Sequence, residues 1–191
     1  FMTMNKKENT ASLEIFDINT ASEKRKTLLQ KSKDAYGYIP NLHGVLAGSP
    51  NLLEAYQNLH ELFANSSFNK EELTVVWQTI NVEHECHYCV PAHTGIAKAM
   101  KVDDAIINAL RDQSELPTKK LQVLHNTTLA LTRNRGYISE EELNAFYEEG
   151  YTQRNLLDII LGLSQKVISN YTNHIAETPL DDAFQKFSWS K

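Results

Sequence analysis

The chain contains few cysteines, glycines and prolines, and it lacks any long apolar run. Only 2 Cys, 7 Gly and 5 Pro occur among its 191 residues. No apolar stretch approaches the roughly 20 residues that a membrane-spanning helix needs. The net charge of -5 argues against a nucleic-acid-binding protein, because such proteins present a basic surface to the phosphates. We therefore expect neither a membrane span nor a nucleic-acid partner.

The scarcity of cysteine also bears on the cellular compartment in which the protein is expected. Cys86 and Cys89 are the only two, and a disulfide between them would close too small a loop to stabilise the fold. Residues 1–10 lack the apolar core of a secretory signal peptide. We expect a cytoplasmic protein in which this pair serves chemistry rather than stability.

Helical periodicity dominates the rest of the sequence. Leu52, Tyr56, Leu59 and Phe63 recur at the spacing of one helix face. No segment alternates with a period of two beside a glycine turn, as a β-hairpin would. Caps and breakers predict helices at 21–35, 41–47, 50–64, 70–83, 87–100, 103–111, 117–136, 139–150 and 152–176, and a short one after Pro179. The predicted fold class is therefore all-α.

The same pattern predicts one domain with a faint internal repeat. The apolar positions Leu73 and Val76 recur 83 residues later as Leu156 and Ile159 (156 − 73 = 83). We expect an N-terminal extension at 1–20 and a single all-helical domain at 21–191, with a pseudo-repeat at about 50–111 and 117–187.

The run from Cys86 to His93 is the strongest chemical signal. Pro91 is tolerated only in the first turn of a helix, so a helix should begin near residue 87 with both thiols at its N-terminal end, where the dipole favours a thiolate. His93 follows Cys89 by four residues and shares its helix face. A thiolate, a second thiol and a proton-carrying imidazole are the minimum set for reducing a peroxide. Glu83, at the end of the preceding helix, is a candidate to relay protons to His93.

Other interpretations of these residues stay open. Zinc could be held by Cys86, Cys89 and His93, with His84 or His87 as a fourth ligand. All of these ligands come from one short segment, whereas structural zinc sites usually tie separate segments together, so we expect no metal and no cofactor. The two cysteines could also pack as small hydrophobic residues. Four other histidines are isolated in sequence, which predicts surface or capping roles for them: His43, His60, His125 and His174.

The segment from Glu83 to Thr94 resembles the active-site segment of the carboxymuconolactone decarboxylase-like superfamily. Its C-x-x-C-x-x-x-H pattern is most similar to the alkyl hydroperoxidase D-like, peroxidase-related branch. The helix at 73–81 and the tail at 170–181 also resemble that branch. The likeness covers most of the chain from about Tyr38 to Phe187.

This resemblance implies two related helical repeats that form an alkyl hydroperoxidase D-like bundle, assembled as homo-trimers or homo-hexamers. It implies a thiol peroxidase acting on organic hydroperoxides, with Cys89 attacking the peroxide, Cys86 resolving and His93 relaying protons. The reductant would be a dithiol protein, either thioredoxin-like or lipoyl-bearing. The family's relay glutamate is replaced by Thr74, and Glu83 is its expected substitute.

Two alternatives accompany this expectation. A carboxymuconolactone decarboxylase-type enzyme belongs to the same superfamily, but that chemistry needs no cysteine pair. A non-enzymatic thiol redox sensor would use the same two cysteines without turnover, and only sustained turnover with a reductant separates it from a peroxidase.

Overall fold

The structure is a computed structural model that describes residues 13–191. Its helices are α1 (Glu23–Tyr36), α2 (Asn41–Leu46), α3 (Pro50–Ala64), α4 (Lys70–Glu83), α5 (Cys89–Ala99), α6 (Asp104–Asp112), α7 (Lys119–Arg133), α8 (Glu140–Glu148) and α9 (Gln153–Ala176), followed by a 3-10 helix at Asp182–Phe187. The described residues contain no strand, which confirms the all-α class. None of the helices in this range combines the length and apolar character that a membrane crossing requires.

Side-chain caps set the helix boundaries where the sequence predicted them. The Ser49 side chain accepts a hydrogen bond from the backbone N–H of Leu52, and α3 starts at Pro50. Asn69 and Glu72 form a reciprocal capping box at the start of α4. Helices α3 and α4 accordingly have the predicted bounds.

Helix α7 is shorter than predicted, because its cap lies inside the predicted range. The Thr118 side chain accepts a hydrogen bond from Leu121 N, so α7 begins at Lys119 rather than at Pro117. At its other end the helix stops at Arg133, and Gly136 lies beyond it in a left-handed conformation with φ of 88°.

Helix α4 lies at the centre of the bundle. It packs against α5, α6, α7 and α9, and all of its residues from Glu72 to Val82 are buried. Its Trp77 and Ile80 belong to the main hydrophobic core, together with Leu124 of α7 and Phe146 of α8. A helix buried on every side places any polar group on it next to protein rather than water.

A second hydrophobic cluster joins α1, α2 and α3 to the segment before α5. It includes Leu29, Leu42 and Leu53, and both cysteines are members of it. Residues 13–20 also pack on this part of the bundle, since Phe16 N donates a hydrogen bond of 3.0 Å to Gly44 O. The predicted extension at 1–20 falls partly outside the described residues, because residues 1–12 are not among them. The division into a pseudo-repeat stays a prediction.

The C-terminal segment crosses the N-terminal end of α5. The Tyr88 hydroxyl donates to Asp181, and it accepts a hydrogen bond of 3.2 Å from Leu42 N. Phe184 packs so closely on Gly95 of α5 that a Cβ there would lie 2.6 Å from its ring. This crossing covers the segment that carries the cysteines.

Candidate active site

Both cysteines lie at the junction between α4 and α5. After α4, Glu85 adopts a positive φ of 53°, and Cys86 N donates a hydrogen bond of 3.0 Å to Asn81 O. Cys89 is the first residue of α5, close to the predicted helix start. The two side chains are buried, with 0% and 2% exposure, and both are free thiols.

Hydrogen bonds and charge divide the two sulfurs into a thiolate and a thiol. Asn173 Nδ2 donates to Cys89 Sγ at 3.2 Å, and Cys89 N donates to Cys86 Sγ at 3.2 Å. Burial acts to raise the pKa of Cys89, but the hydrogen bond from Cys86, the charge of Lys166 and the hydrogen bond from Asn173 outweigh it and lower that pKa to about 6. Burial and the adjacent Cys89 sulfur raise the pKa of Cys86. At neutral pH, Cys89 is therefore the thiolate and Cys86 keeps its proton.

The positive charge in the site comes from Lys166 of α9, which is only 1% exposed. Its Nζ lies 2.9 Å from Nε2 of His93. Burial lowers the pKa of Lys166, while the Cys89 and Cys86 sulfurs act in the opposite direction. Within residues 13–191, no carboxylate lies within ion-pair distance of this ammonium group. The counter-charge of Lys166 is therefore the Cys89 thiolate.

His93 is a neutral imidazole in this arrangement. Burial, the charge of Lys166 and the neighbouring His60 hold the pKa of His93 well below its usual value. When Lys166 carries its proton it can only donate, so Lys166 Nζ then donates to Nε2 and the ring hydrogen sits on Nδ1, a buried atom without a hydrogen-bond partner among the described residues. The His93 ring packs on Trp77 with centroids 4.8 Å apart. The predicted grouping of Cys86, Cys89 and His93 is brought together by the fold.

Two of the histidines that are isolated in sequence, His43 and His60, line the cavity beside Cys89, and each is hydrogen-bonded to another side chain. His60 stacks on Trp77, and its Nδ1 lies 2.9 Å from Nε2 of Gln165. Gln165 Oε1 in turn accepts a hydrogen bond of 2.8 Å from Trp77 Nε1. His43 is 5% exposed and lines the same cavity as Cys89. The contact of His60 was not predictable from sequence, because Gln165 lies 105 residues away.

Glu83 has a different partner from the one expected. Its carboxylate Oε1 accepts a hydrogen bond of 2.8 Å from Arg133 Nε at the end of α7. The Thr74 hydroxyl donates within α4 to Lys70 O at 2.8 Å. Neither the Glu83 nor the Thr74 side chain is hydrogen-bonded to His93 within the described residues. A relay through Glu83 stays a prediction.

The two cysteines line two different depressions in the structure. Cys89, His93 and Lys166 line an inner cavity of about 40 Å³. Cys86 instead lines a surface groove of about 510 Å³ between the turn before α5 and the end of α9.

The residues weighed as zinc ligands are not arranged as a metal site. Within the described range, no three His, Cys, Asp or Glu side chains converge on a point that could hold a metal ion. His84 Nδ1 lies 3.0 Å from Asn170 Oδ1, and the His87 ring packs near Trp189.

Comparison with solved structures identifies the architecture. The alkylhydroperoxidase AhpD core of a peroxidase-related protein from Ralstonia eutropha JMP134 superposes with a TM-score of 0.78 over 89% of this chain and 92% of that chain, at 18% identity. The chain has the AhpD-like fold. A peroxidase-related protein from Silicibacter sp. TM1040 superposes with a TM-score of 0.77 over 96% of this chain and 97% of that one, at 17% identity. The AhpD-like bundle implied by the sequence resemblance is thus confirmed.

A third solved structure shares the AhpD-like fold. It is a cysteine-to-alanine variant of the debrominase Bmp8 in complex with 2,3,4-tribromopyrrole, with a TM-score of 0.75 over 96% of each chain and 14% identity. No protein-family model matches the chain, and no curated protein matches it in sequence. At these identities the likeness concerns the fold alone.

Proposed function

We propose that the protein is a thiol peroxidase that reduces organic hydroperoxides through a disulfide cycle. The observation that carries this proposal is the buried cluster in which Cys89, with a pKa of about 6, lies beside the protonated Cys86 thiol and the ammonium group of Lys166. Such a cluster supplies a nucleophile, a resolving thiol and an acid at one point.

The first step is attack of the Cys89 thiolate on the terminal oxygen of a hydroperoxide. An S–O bond forms, the O–O bond breaks, and Cys89 becomes a sulfenic acid. The departing alkoxide takes a proton from Lys166, either directly or through the His93 ring that lies 2.9 Å away. The balance is one hydroperoxide reduced to one alcohol, with the sulfur oxidised by two electrons.

The second step is attack of Cys86 on the Cys89 sulfenic acid, which forms the disulfide and releases water. An external dithiol protein, thioredoxin-like or lipoyl-bearing, then exchanges with that disulfide and returns both thiols to the reduced state. The surface groove that Cys86 lines supports an approach of this reductant there. No prosthetic group is needed for this cycle.

Lys166 takes the role that the sequence assigned to Glu83. Its pKa is lowered by burial, so it gives up a proton more readily than an exposed lysine. The Glu83 carboxylate is already bonded to Arg133. The contact between Lys166 and His93 supports a relay in which α9 contributes the acid and α5 the nucleophile.

The test is mass spectrometry of thiol-blocked peptides before and after one equivalent of cumene hydroperoxide. The wild-type protein should lose two hydrogens across the peptide that contains Cys86 and Cys89. Cys89→Ser should not consume peroxide, whereas its matched partner Cys86→Ser should consume one equivalent and stop without a disulfide. Full activity in Cys89→Ser, or thiols that stay reduced in the wild type, would refute the proposal.

Turnover separates the enzyme from a redox sensor. Many equivalents of peroxide consumed per protein with a dithiol reductant support a peroxidase, and a single equivalent supports a sensor.

We also propose a homo-oligomer, a trimer or hexamer. Exposed apolar side chains along α9 support such an assembly: Leu157, Ile160, Tyr171 and Ile175. Sedimentation velocity tests it, and a monomer at micromolar concentration would contradict it.

A second candidate is reductive dehalogenation, which the fold shared with the debrominase Bmp8 favours. In that reaction, the Cys89 thiolate would take the halogen from an aromatic ring, Lys166 would protonate the resulting carbanion, and Cys86 would displace halide to form the disulfide. Bromide release from 2,3,4-tribromopyrrole in the presence of a dithiol measures this activity directly. Bromide release without peroxide turnover would replace the first proposal by this one.

A further inference from the structure

A second and larger cavity lies next to the inner one. Its volume is about 380 Å³, within the range of small-molecule sites. It is bounded by α1 and α3, with Ala35 and Gln57 among its lining residues. Exposed residues at its rim, Lys31 and Glu61 among them, place its mouth at the surface.

The two cavities share a wall of four rings. Tyr36, His43, Tyr56 and His60 line both of them. The inner cavity alone holds only about three water-sized groups, since a water needs about 10–15 Å³ of such volume. It accommodates the two oxygens of a peroxide but not the organic group attached to them. That group needs further space, and the neighbouring cavity behind the shared wall offers it.

The wall is polar in part but uncharged at neutral pH. Burial, with the charges of His60 and Lys166, lowers the pKa of His43 to about 3, and burial and Lys166 lower that of His60 to about 4. Burial raises the pKa of both phenols, Tyr36 and Tyr56, above its ordinary value. Rings without charge favour an uncharged, flat ligand over an ionised one.

Hydrogen bonds fix the orientation of the His43 ring. Gln57 Nε2 donates to Ser32 Oγ at 2.8 Å and to Leu28 O at 2.9 Å. Ser32 Oγ lies 2.6 Å from His43 Nδ1 but 3.4 Å from Leu28 O, so the Ser32 hydroxyl donates its hydrogen bond to Nδ1. Because Nδ1 accepts this bond, the single ring hydrogen of neutral His43 is on Nε2, which can donate to a ligand at the wall.

We infer that the outer cavity is a subsite for the uncharged, ring-bearing organic group of the substrate, whose reactive end passes the wall of Tyr36, His43, Tyr56 and His60 to reach Cys89. This inference rests on the proposed function and names its substrate class. Aryl and other cyclic hydroperoxides would fill both cavities. Hydrogen peroxide would fill only the inner one, and a carboxylated hydroperoxide would bring a charge to an uncharged wall.

The test is to fill the outer cavity without touching the inner one. Ala35 is exposed on α1 and lines the outer cavity alone. Ala35→Trp should lower kcat/KM for cumene hydroperoxide by about tenfold or more, while kcat/KM for hydrogen peroxide stays within about twofold. The matched control is Ala105→Trp, because Ala105 is also a helical, exposed alanine and lines neither cavity. That variant should change neither value.

Equal losses for both peroxides in Ala35→Trp, or no loss for cumene hydroperoxide, would overturn the subsite. A binding measurement keeps it testable without turnover. The product alcohol 2-phenyl-2-propanol should bind the reduced wild-type protein and Ala105→Trp, as seen by saturation-transfer NMR, and Ala35→Trp should lose most of that signal. Binding that obeys this pattern in a protein without peroxide turnover would refute the peroxidase and keep the subsite. Binding unchanged by Ala35→Trp would refute the subsite alone.

Discussion

The lysine that faces the thiols gives the sharpest test of the site. Replacing Lys166 by methionine removes the charge while keeping a long side chain of similar volume. The Cys89 thiolate then loses the cation that lowers its pKa, and burial continues to act against the charged form. The thiol should therefore become harder to ionise, and its reaction with peroxide at neutral pH should slow.

The size of this effect follows from the charge. A neighbouring opposite charge typically shifts the pKa of an ionisable group by about 1–3 units, and one unit corresponds to about 1.4 kcal/mol. With a pKa of about 6, Cys89 is about nine-tenths thiolate at pH 7. A rise of about two units leaves about one-tenth as thiolate and slows attack about tenfold at pH 7. At pH 9 the thiolate fraction of the variant recovers, and the loss of rate that persists there measures the contribution of Lys166 as the acid.

The assay is the second-order rate of sulfenic acid formation between pH 5 and 10, beside the thiolate absorbance near 240 nm. The rate of the wild type should rise with pH through about 6 and then level off. Lys98→Met is the matched control, because Lys98 is an exposed lysine paired with Asp104. An apparent pKa still near 6 in Lys166→Met would refute the reasoning.

Two further predictions concern the frame of the site. Gly162→Ala should lower the free energy of unfolding in urea by about 1–3 kcal/mol, because the new Cβ would lie 2.8 Å from the fully buried Phe63 ring; an unchanged urea midpoint would contradict this packing. Glu83→Gln should leave peroxide turnover within about twofold, since a partly exposed pair with Arg133 carries little energy; a loss of tenfold or more would restore Glu83 as the relay.

The helices were predictable because their signals are local. Ser49 and Pro50 mark the start of α3 within two residues, and the Asn69–Glu72 box marks α4 within four. Each of these signals acts through hydrogen bonds between neighbours in sequence, so no knowledge of tertiary contacts is needed. Cys86, Cys89 and His93 were predictable together for the same reason, since Cys89 and His93 are one turn apart on α5 and Cys86 lies just before that helix.

Lys166 was not predictable in this way, because its partner His93 lies 73 residues away in sequence. A signal was nevertheless present in α9. The residues of that helix that face the bundle follow a helical stripe, and toward its C-terminal half the stripe turns polar: Gln165, Lys166, Ser169, Asn170 and Asn173. A polar stripe on an inward face indicates that a polar site lies opposite, although only the fold shows that the thiols are what it meets.

The charge balance of the site changes when the thiols are oxidised. In the reduced state, the sulfurs raise the pKa of Lys166 against the effect of burial. A disulfide carries no charge, so oxidation leaves the ammonium group buried without a counter-ion, and Lys166 should release a proton to the alkoxide or to solvent. Between pH 7 and 8, reduction should then take up two protons per two electrons, and the potential should fall by about 59 mV per pH unit. A slope of about 30 mV, measured against glutathione, would mean that Lys166 keeps its proton and that the alkoxide is protonated from elsewhere.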